Sequence, residues 1–452
     1  MFSMWARAQL ARVAACAVAA PLLFAGVAPV SAGHPMTPAF GSDSQVDYID
    51  DFQPDAGGLP MLGCLHSTPI GCFGADTIRP AYGIPTSNDP TINGTGRTIV
   101  IIDAFKNPNI RTDLAHFDGF WSIPAAPSFT ILSPFGDPGF DATKKIQRGF
   151  SVEISIDVEW AHAVAPGAAL VLVQATSEKD VDLVAALKYA VDNNLGDVIT
   201  QSFGEAESCI DPVVLADQHA AFEDASRLGI TVLASSGDQG GARQSCDGTT
   251  LVAGPSTPAS DPEVLSVGGT KLVADSSGAY TSETAWNTAM GAATGGGGAS
   301  GGGFSTLYRR PGYQAPFQKN NKARGVPDVA YNAYFTRSTG FIAVYSGITP
   351  PKTNPLGVIV VGGTSAGTPQ WAGIAALAAQ MAGHRLGSIN KALYHIAKSD
   401  AYSSAFHDVT AGNNRWGGLP GFDAGPGWDA VTGLGTPNVS SLLPLLAAGE
   451  DG

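Results

Sequence analysis

The sequence contains 452 residues, of which 14% are charged, and its formal net charge is -14. An acidic balance of this size argues against a nucleic-acid partner, because nucleic acids bind to basic surfaces. It suits a protein that stays soluble at low pH. The length allows two or three domains, although a large α/β enzyme can use as much chain in one.

The first 32 residues have the features of an export signal. Arg7 and Arg12 supply a positive start, an apolar run covers 13–30, and small residues precede Gly33. The alternative is a membrane anchor, but two prolines interrupt the run and a cleavage site follows it. We therefore predict removal of the signal and a secreted protein, extracellular or periplasmic, with no membrane attachment afterwards.

Residues 33–75 are rich in Pro, Gly and Asp and lack periodicity, which predicts a loose N-terminal arm or a short prosegment. Beyond the signal, four cysteines remain, and disulfides are the default in an exported chain. Four cysteines allow three pairings. Local loop closure favours Cys64–Cys72 and Cys209–Cys246. A metal site is disfavoured because there is no CxxC spacing.

From residue 97 onward, apolar runs alternate with helical patterns. Strand–helix–strand alternation indicates an α/β fold with a mostly parallel sheet and helices on both faces. The predicted strands are 98–103, 169–174, 197–202, 230–235 and 264–268, and the predicted helices are 179–193 and 212–228.

The second half of the sequence begins with a glycine-rich stretch at 291–303, which has the composition of a flexible linker. An apolar, largely buried helix is predicted over Thr364–Ala382. The chain then becomes loop-rich over 408–437.

Ligands and catalytic groups of open α/β sheets gather at the carboxyl ends of the strands. Three predicted strand ends carry notable polar residues: Asp103, the turn at 202–204 and the turn at 235–238. A fourth polar position, Ser365, opens the buried helix. Free N–H groups and the helix dipole would stabilise an oxyanion there. The alternative is that Ser365 or Thr364 only caps the helix.

The string G-T-S-x-x-x-P at 363–369 resembles the nucleophile motif of the subtilisin-like fold. Subtilisins pair this serine with a histidine in an HGT-type motif, and neither His116 nor His162 has that context. The sequence instead resembles the sedolisins, the serine-carboxyl peptidases, from 81 to 437, with four motifs in the expected order. The resemblance implies a subtilisin-like, doubly wound peptidase domain, predicted over 76–447, with protein or peptide substrates.

The second motif contains Glu153 and Asp157, which in sedolisins lie on one helix beside the serine. Positions i and i+4 of a helix face the same way, so Glu153 could accept the proton of Ser365 while Asp157 orients Glu153. Alternation of apolar and polar residues here is typical of a strand, which would separate the two carboxylates by roughly 13 Å. We predict a helix over 152–164, partly from the resemblance. The alternative is that the two residues only form a solvent-exposed acidic face of the helix.

The third motif contains Asp238, which matches an aspartate that serves the oxyanion in sedolisins. A carboxyl group donates a hydrogen bond only when it is protonated, so Asp238 must be neutral in the active form. The alternative is an ordinary turn aspartate. A histidine base is protonated near pH 4, whereas a carboxylate base is still partly ionised there. The combination predicts an acidic pH optimum.

The fourth motif resembles the sedolisin calcium site. Calcium prefers several oxygen ligands in a flexible loop, and the alternative is a surface loop rich in Gly and Asp. The ligands that the resemblance implies are the carboxylates of Asp408 and Asp429 and the backbone carbonyls of Val409, Gly425 and Gly427.

Two further functions stay open. One is a neutral subtilisin-type protease that uses Asp103 and an unrecognised histidine, whereas the sedolisin resemblance gives Asp103 a supporting role. The other is a secreted calcium-binding protein without catalysis. The runs 202–204 and 300–305 resemble cleft-lining segments. Many sedolisins carry a large propeptide, and here only about 45 residues separate the signal from the predicted domain. We expect a monomer.

Overall fold

A computed structural model gives the fold of the chain. The predicted signal peptide, 1–32, and part of the glycine-rich stretch lie outside the described residues, which are 33–38, 48, 63–65, 67, 69–87, 89–288, 297–319, 321–336 and 339–449. None of the helices in these ranges has the length and apolar character needed to cross a membrane.

The helices of the described chain are α1 (Ala75–Tyr82), α2 (Ile110–Trp121), α3 (Lys145–Val164), α4 (Asp180–Asp192), α5 (Pro212–Arg227), α6 (Thr364–Ala382), α7 (Asn390–Lys398), α8 (Tyr402–Ala405) and α9 (Val439–Ala448). Short 3-10 helices cover Gly63–Leu65 and Gly312–Gln314.

The strands of the first half are β1 (Thr37–Pro38), β2 (Cys72–Phe73), β3 (Thr98–Ala104), β4 (Phe129–Leu132), β5 (Ala169–Ala175), β6 (Val198–Gln201), β7 (Phe203–Ala206), β8 (Thr231–Ser235), β9 (Ala242–Gln244), β10 (Leu251–Ala253) and β11 (Ser256–Thr257). Those of the second half are β12 (Val264–Ala274), β13 (Tyr280–Ala285), β14 (Gly303–Arg309), β15 (Ala323–Val326), β16 (Val329–Asn332), β17 (Gly340–Val344), β18 (Val358–Val361), β19 (Phe406–His407) and β20 (Thr436–Pro437).

The main sheet has eight strands in the order β13-β12-β8-β6-β3-β5-β4, and β16 also pairs with β12. Every pairing is parallel except that of β13 with β12. Along β3, Ile99 and Ile101 join the apolar cluster of α3 and α6, while Val100 and Ile102 join that of α4 and α5. Alternate side chains of a strand point to opposite faces, so helices cover both faces of the sheet, as predicted.

The sequence prediction placed the start of α3 seven residues too late, since the structure begins this helix at Lys145. The alternating segment 152–160 is helical because every one of its residues, polar or apolar, is buried. A two-faced strand requires the polar residues to face water, which they do not. Among the predicted strands, β12 extends six residues further than the predicted 264–268.

The two predicted disulfides, Cys64–Cys72 and Cys209–Cys246, are both present. The described residues of the predicted loose arm are tied to the rest of the fold. β1 pairs with β7 and β2 pairs with β17. Backbone pairing thus holds parts of a segment that has no sequence periodicity.

Candidate active site

The helix α6 begins in the interior of the molecule, and Ser365 is its second residue with no exposed surface. The residue before the helix, Gly363, has φ of 82° and supplies no side-chain cap. A Cβ atom at Gly363 would clash with the carboxyl group of Asp238. The cap interpretation of Ser365 is therefore wrong, and the serine hydroxyl is available for other chemistry. This hydroxyl has no hydrogen-bond partner among the described residues.

Asp238 follows strand β8 and lies against the start of α6. Its Oδ1 accepts hydrogen bonds from the backbone N–H and the hydroxyl of Thr364, each 2.9 Å long. Burial raises the pKa of Asp238 to about 7, although the Thr364 bonds and the nearby Arg243 lower it. The carboxyl is therefore neutral in mildly acidic water and can then donate one hydrogen bond.

Arg243 holds the turn that carries Asp238. Its guanidinium donates to the carbonyls of Ser236, Gly240 and Ala242 and is buried. The segment 299–301 supports the same turn from the other side, because Ala299 N–H donates to the Asp238 carbonyl and Gly301 N–H to the Gly237 carbonyl. The predicted cleft-lining run 300–305 thus begins beside Asp238.

Three acidic side chains, Asp103, Glu153 and Asp157, lie together and are all fully buried. Burial, and then the carboxyl groups of Asp157 and Glu153, raise the pKa of Asp103 well above its usual value. Burial also raises the pKa of Asp157, while a 2.7 Å hydrogen bond from Ser202 lowers it. Burial and the neighbouring carboxyl groups therefore keep Asp103 protonated to higher pH than usual, and burial does the same for Asp157.

The packing of α3 against α6 relates this cluster to the serine. A Cβ atom at Gly373 would lie 3.3 Å from the Ala161 carbonyl and 2.6 Å from Val164 Cβ, so the two backbones touch there. Ser365 precedes Gly373 by eight residues, and Glu153 precedes Ala161 by eight.

The start of α6 and the middle of α3 lie at the carboxyl edge of the sheet. The α6 start contacts Asp238, which follows β8, and the α3 residue Asp157 is bonded to Ser202, which follows β6. The two helices therefore run parallel to each other, from the carboxyl edge of the sheet toward their contact at Gly373 and Ala161. Since each residue lies eight positions before the contact, helix geometry predicts that Glu153 and Ser365 lie at corresponding levels of the two helices.

The described histidines hold other positions. The ring of His162 lies 3.0 Å from the Pro124 carbonyl, and His219 lies 2.7 Å from Asp261. The charged groups that act on Asp103 are carboxyls. Within the described ranges, the Ser365 hydroxyl therefore has no hydrogen bond to a histidine.

The residues of the predicted calcium site converge on the loop 425–432. Gly427 N–H donates to Asp408 Oδ2 at 2.9 Å, and Gly425 N–H donates to Asp429 Oδ2 at 2.8 Å. Burial, and then both carboxylates, raise the pKa of Tyr402, so the two acids flank one tyrosine. Two carboxylates thus meet one loop, and carboxylate oxygens are ligands that a hard cation prefers.

Sequence patterns do not identify two residues of this site, Thr364 and Arg243. Thr364 was considered only as a cap, and its actual partner lies 126 positions away. Arg243 has no motif around it and acts through carbonyls of a turn, which sequence patterns do not specify.

Comparison with known proteins places these observations in a family. Residues 149–410 match the model of the Subtilase family. Kumamolisin from Bacillus sp. (strain MN-32) is 34% identical over 387 residues, which cover 82% of this chain and 62% of kumamolisin. Sedolisin from Pseudomonas sp. (strain 101) is 29% identical over 377 residues, covering 81% and 59% respectively. The chain thus spans about six-tenths of the length of these two relatives.

A solved structure of Pseudomonas sedolisin, a serine-carboxyl proteinase complexed with two molecules of pseudo-iodotyrostatin, superimposes with a TM-score of 0.73. It is 27% identical, and the match covers 84% of this chain and 99% of that one. The similarity therefore extends through the whole of that structure, including its sheet and covering helices.

Proposed function

Since the chain belongs to the subtilase family and, within it, to the sedolisins, we propose that it is a serine-carboxyl endopeptidase acting at acidic pH. The observation that supports the proposal is a buried serine at the start of α6, next to the buried carboxyl group of Asp238 and with no hydrogen bond to a histidine in the described chain. Its substrates would be proteins or peptides, and we propose that it acts as a secreted monomer.

In the proposed reaction, the hydroxyl of Ser365 attacks the carbonyl carbon of the scissile peptide bond. Glu153 accepts the hydroxyl proton and later gives it to the leaving amine, and Asp157 orients Glu153. The absent Ser365–Glu153 hydrogen bond is compatible with this role, because such bonds often tighten only with substrate present. Water then releases the acyl group by the reverse sequence of proton transfers.

The developing oxyanion would receive a hydrogen bond from neutral Asp238 and from N–H groups at the start of α6. The pKa of Asp238, about 7, supports this role. As pH rises through this value, the Asp238 carboxyl group loses its proton. It can then no longer donate a hydrogen bond, and its negative charge repels the oxyanion. The activity should therefore decline toward neutral pH.

We further propose that calcium binds at the carboxylates of Asp408 and Asp429 and at backbone carbonyls of Val409, Gly425 and Gly427. The bound ion would neutralise two neighbouring acids and fix the loop that contains them. Addition of a chelator should lower the midpoint of thermal unfolding, and excess calcium should restore it. An unchanged midpoint in both conditions would contradict this site.

The test of the peptidase proposal is a pH–rate profile from pH 3 to 8 on a denatured protein substrate, with wild type and Ser365→Ala. Wild type should be most active below pH 6, and Ser365→Ala should be inactive with an unchanged circular dichroism spectrum. Maximal cleavage at pH 8 would favour the neutral subtilisin-type alternative. Lack of cleavage at every pH, with calcium bound, would favour the non-catalytic calcium-binding alternative.

A further inference from the structure

The segment Gly33–Pro38 lies as an extended strand between two other parts of the chain. On one side, Met36 N–H donates to the Glu178 carbonyl and Asp180 N–H donates to the His34 carbonyl, both at 2.8 Å. On the other side, β1 pairs in antiparallel register with β7, with Thr37 opposite Gly204. The segment therefore fills a groove that holds a peptide backbone from both edges.

This groove leads toward the proposed reaction centre. β7 begins directly after Ser202, whose hydroxyl donates to Asp157 of the acidic cluster. An added strand gains its affinity from backbone hydrogen bonds and its specificity from pockets for alternate side chains. Met36 is fully buried among apolar side chains in one such pocket.

A second pocket holds the side chain of His34 and is acidic. His34 Nδ1 lies 2.7 Å from Glu205 Oε2, and Nε2 lies 2.8 Å from the Cys246 carbonyl. Both neighbours can accept hydrogen bonds, and a cationic imidazole ring can donate to both at once. Asp180 accepts the His34 backbone N–H through Oδ1 at 2.7 Å.

Arg243 also lines the cavity beside His34, and its guanidinium donates to the carbonyls of Ser236, Gly240 and Ala242. Asp180 is fully buried, and its Oδ2 has no hydrogen-bond partner in the described chain. Burial, and then the Asp180 carboxyl, raise the pKa of Glu205 to about 9. A cationic side chain within hydrogen-bond distance of Glu205 would favour the ionised carboxylate and lower this pKa.

The remaining features of the pocket exclude a metal and leave room for larger groups. His34, Cys209 and Cys246 lie close enough together to suggest a metal site, but the two cysteines form a disulfide and cannot supply thiolates. The cavity beside His34 measures about 220 Å³, which accommodates a longer basic side chain.

We propose that Asp180, Glu205 and the Cys246 carbonyl form a binding site for a cationic side chain of an extended peptide paired with β7. In this structure His34 of the chain itself occupies the site. This proposal rests on the proposed peptidase function. The expected substrates are peptides that pair with β7 as Thr37 does opposite Gly204 and that carry a basic residue three positions earlier, where His34 lies. Glu205 and Asp180 are then specificity-determining residues.

The first test measures docking without catalysis, by hydrogen–deuterium exchange of the full chain carrying Ser365→Ala. The amide of Asp180 reports docking because it donates to His34. Adding His34→Ala or Glu205→Gln should accelerate its exchange at least tenfold, while His34→Arg should change it less than threefold. The matched control is His395→Ala, an exposed histidine on α7, and unchanged protection of β6 shows that each variant is folded. Equal exchange in His34→Ala and the control, or equal exchange in His34→Arg and His34→Ala, would overturn the site.

The second test compares peptide substrates that carry Arg or Ala at the position of His34. Wild type should cleave the Arg peptide with kcat/KM at least tenfold higher, and Glu205→Gln should bring this ratio close to one. Equal cleavage of both peptides by wild type would overturn the site even though the peptidase function stands. If neither peptide is cleaved, the peptidase proposal fails and the exchange experiment alone decides whether the cationic site exists.

Discussion

Buried acids occur at both edges of the main sheet, but their surroundings differ. At the amino edge, Asp328 precedes β16 and accepts hydrogen bonds from the Arg324 guanidinium at 2.6 and 2.7 Å. It also accepts from Ser266 N–H at 2.9 Å and the Tyr394 hydroxyl at 3.0 Å. At the carboxyl edge, Asp103 is equally buried, yet neither of its oxygens has a hydrogen-bond partner among the described residues.

We propose that the difference separates structural acids from reactive ones. A buried carboxylate with an arginine and several donors remains charged and cross-links the elements around it. Buried acids that neighbour other acids keep protons to higher pH and can exchange them. The amino edge should therefore determine stability and the carboxyl edge should determine activity, and each of the following experiments tests this division.

The largest expected effect is on activity at the carboxyl edge. Glu153→Gln removes the proposed proton acceptor of Ser365 and should lower kcat roughly 10³–10⁴-fold, measured at pH 4 on a peptide substrate. The matched control is Glu159→Gln, a buried acid on the same helix whose carboxyl accepts Val344 N–H. Comparable losses in both variants would show that burial, not position, explains the effect.

The next effect is on stability at the amino edge. Arg324→Met leaves the Asp328 carboxylate buried without its cation and should reduce the free energy of unfolding by roughly 3–5 kcal/mol. Activity per folded molecule should not change. Arg415→Met, which removes an exposed pair with Asp423, is the control and should cost about 0–1 kcal/mol. A loss of kcat in folded Arg324→Met would break the division between the two edges.

A somewhat smaller loss of activity is expected when the oxyanion donor is removed. Asp238→Ala should lower kcat roughly 10²–10³-fold, because Ala has no proton to donate. Asp238→Asn keeps a donor at every pH, so it should recover part of this loss and weaken the decline toward neutral pH. Identical pH–rate profiles for wild type and Asp238→Asn would remove Asp238 from the mechanism.

The smallest expected effect is the dependence of stability on pH. Burial raises the pKa of Asp238 and that of Glu283 to about 7. The stability from such groups is fully present below their unfolded values near 4 and is lost as pH rises through about 7. The free energy of unfolding should thus fall by a few kcal/mol between pH 4 and pH 8 in denaturant titrations. Glu283→Gln should reduce this slope, and a stability that rises with pH would contradict the raised pKa values.

The sequence was sufficient for the architecture and for the family. Strand and helix alternation predicted the parallel sheet, and the motif around Ser365 identified the start of α6 to the residue. The alternating pattern around Glu153 and Asp157 is typical of a strand, and the helix was predicted there because of the family resemblance. Periodicity failed there because the polar side chains are buried and not solvated.

The contacts that the sequence did not predict are those that depend on the order of strands in the sheet and on loop closure. Asp103 meets Asp157 only because α3 packs beside β3, and Thr364 meets Asp238 across 126 positions. The pairing of Thr37 with Gly204 likewise follows from no periodic pattern. Local sequence specifies local conformation, whereas these contacts require the positions of several elements at once.

Under the proposed peptidase function, the burial of α6 affects how fast copies of the protein can digest one another. Sixteen residues of this helix, from Thr364 to Ala379, are enclosed by the sheet and its neighbouring helices. A protease must bind its target in an extended form, so cutting this helix requires the whole domain to open first. Mutual digestion at the helix should therefore proceed no faster than global unfolding, and slow unfolding would serve as self-protection.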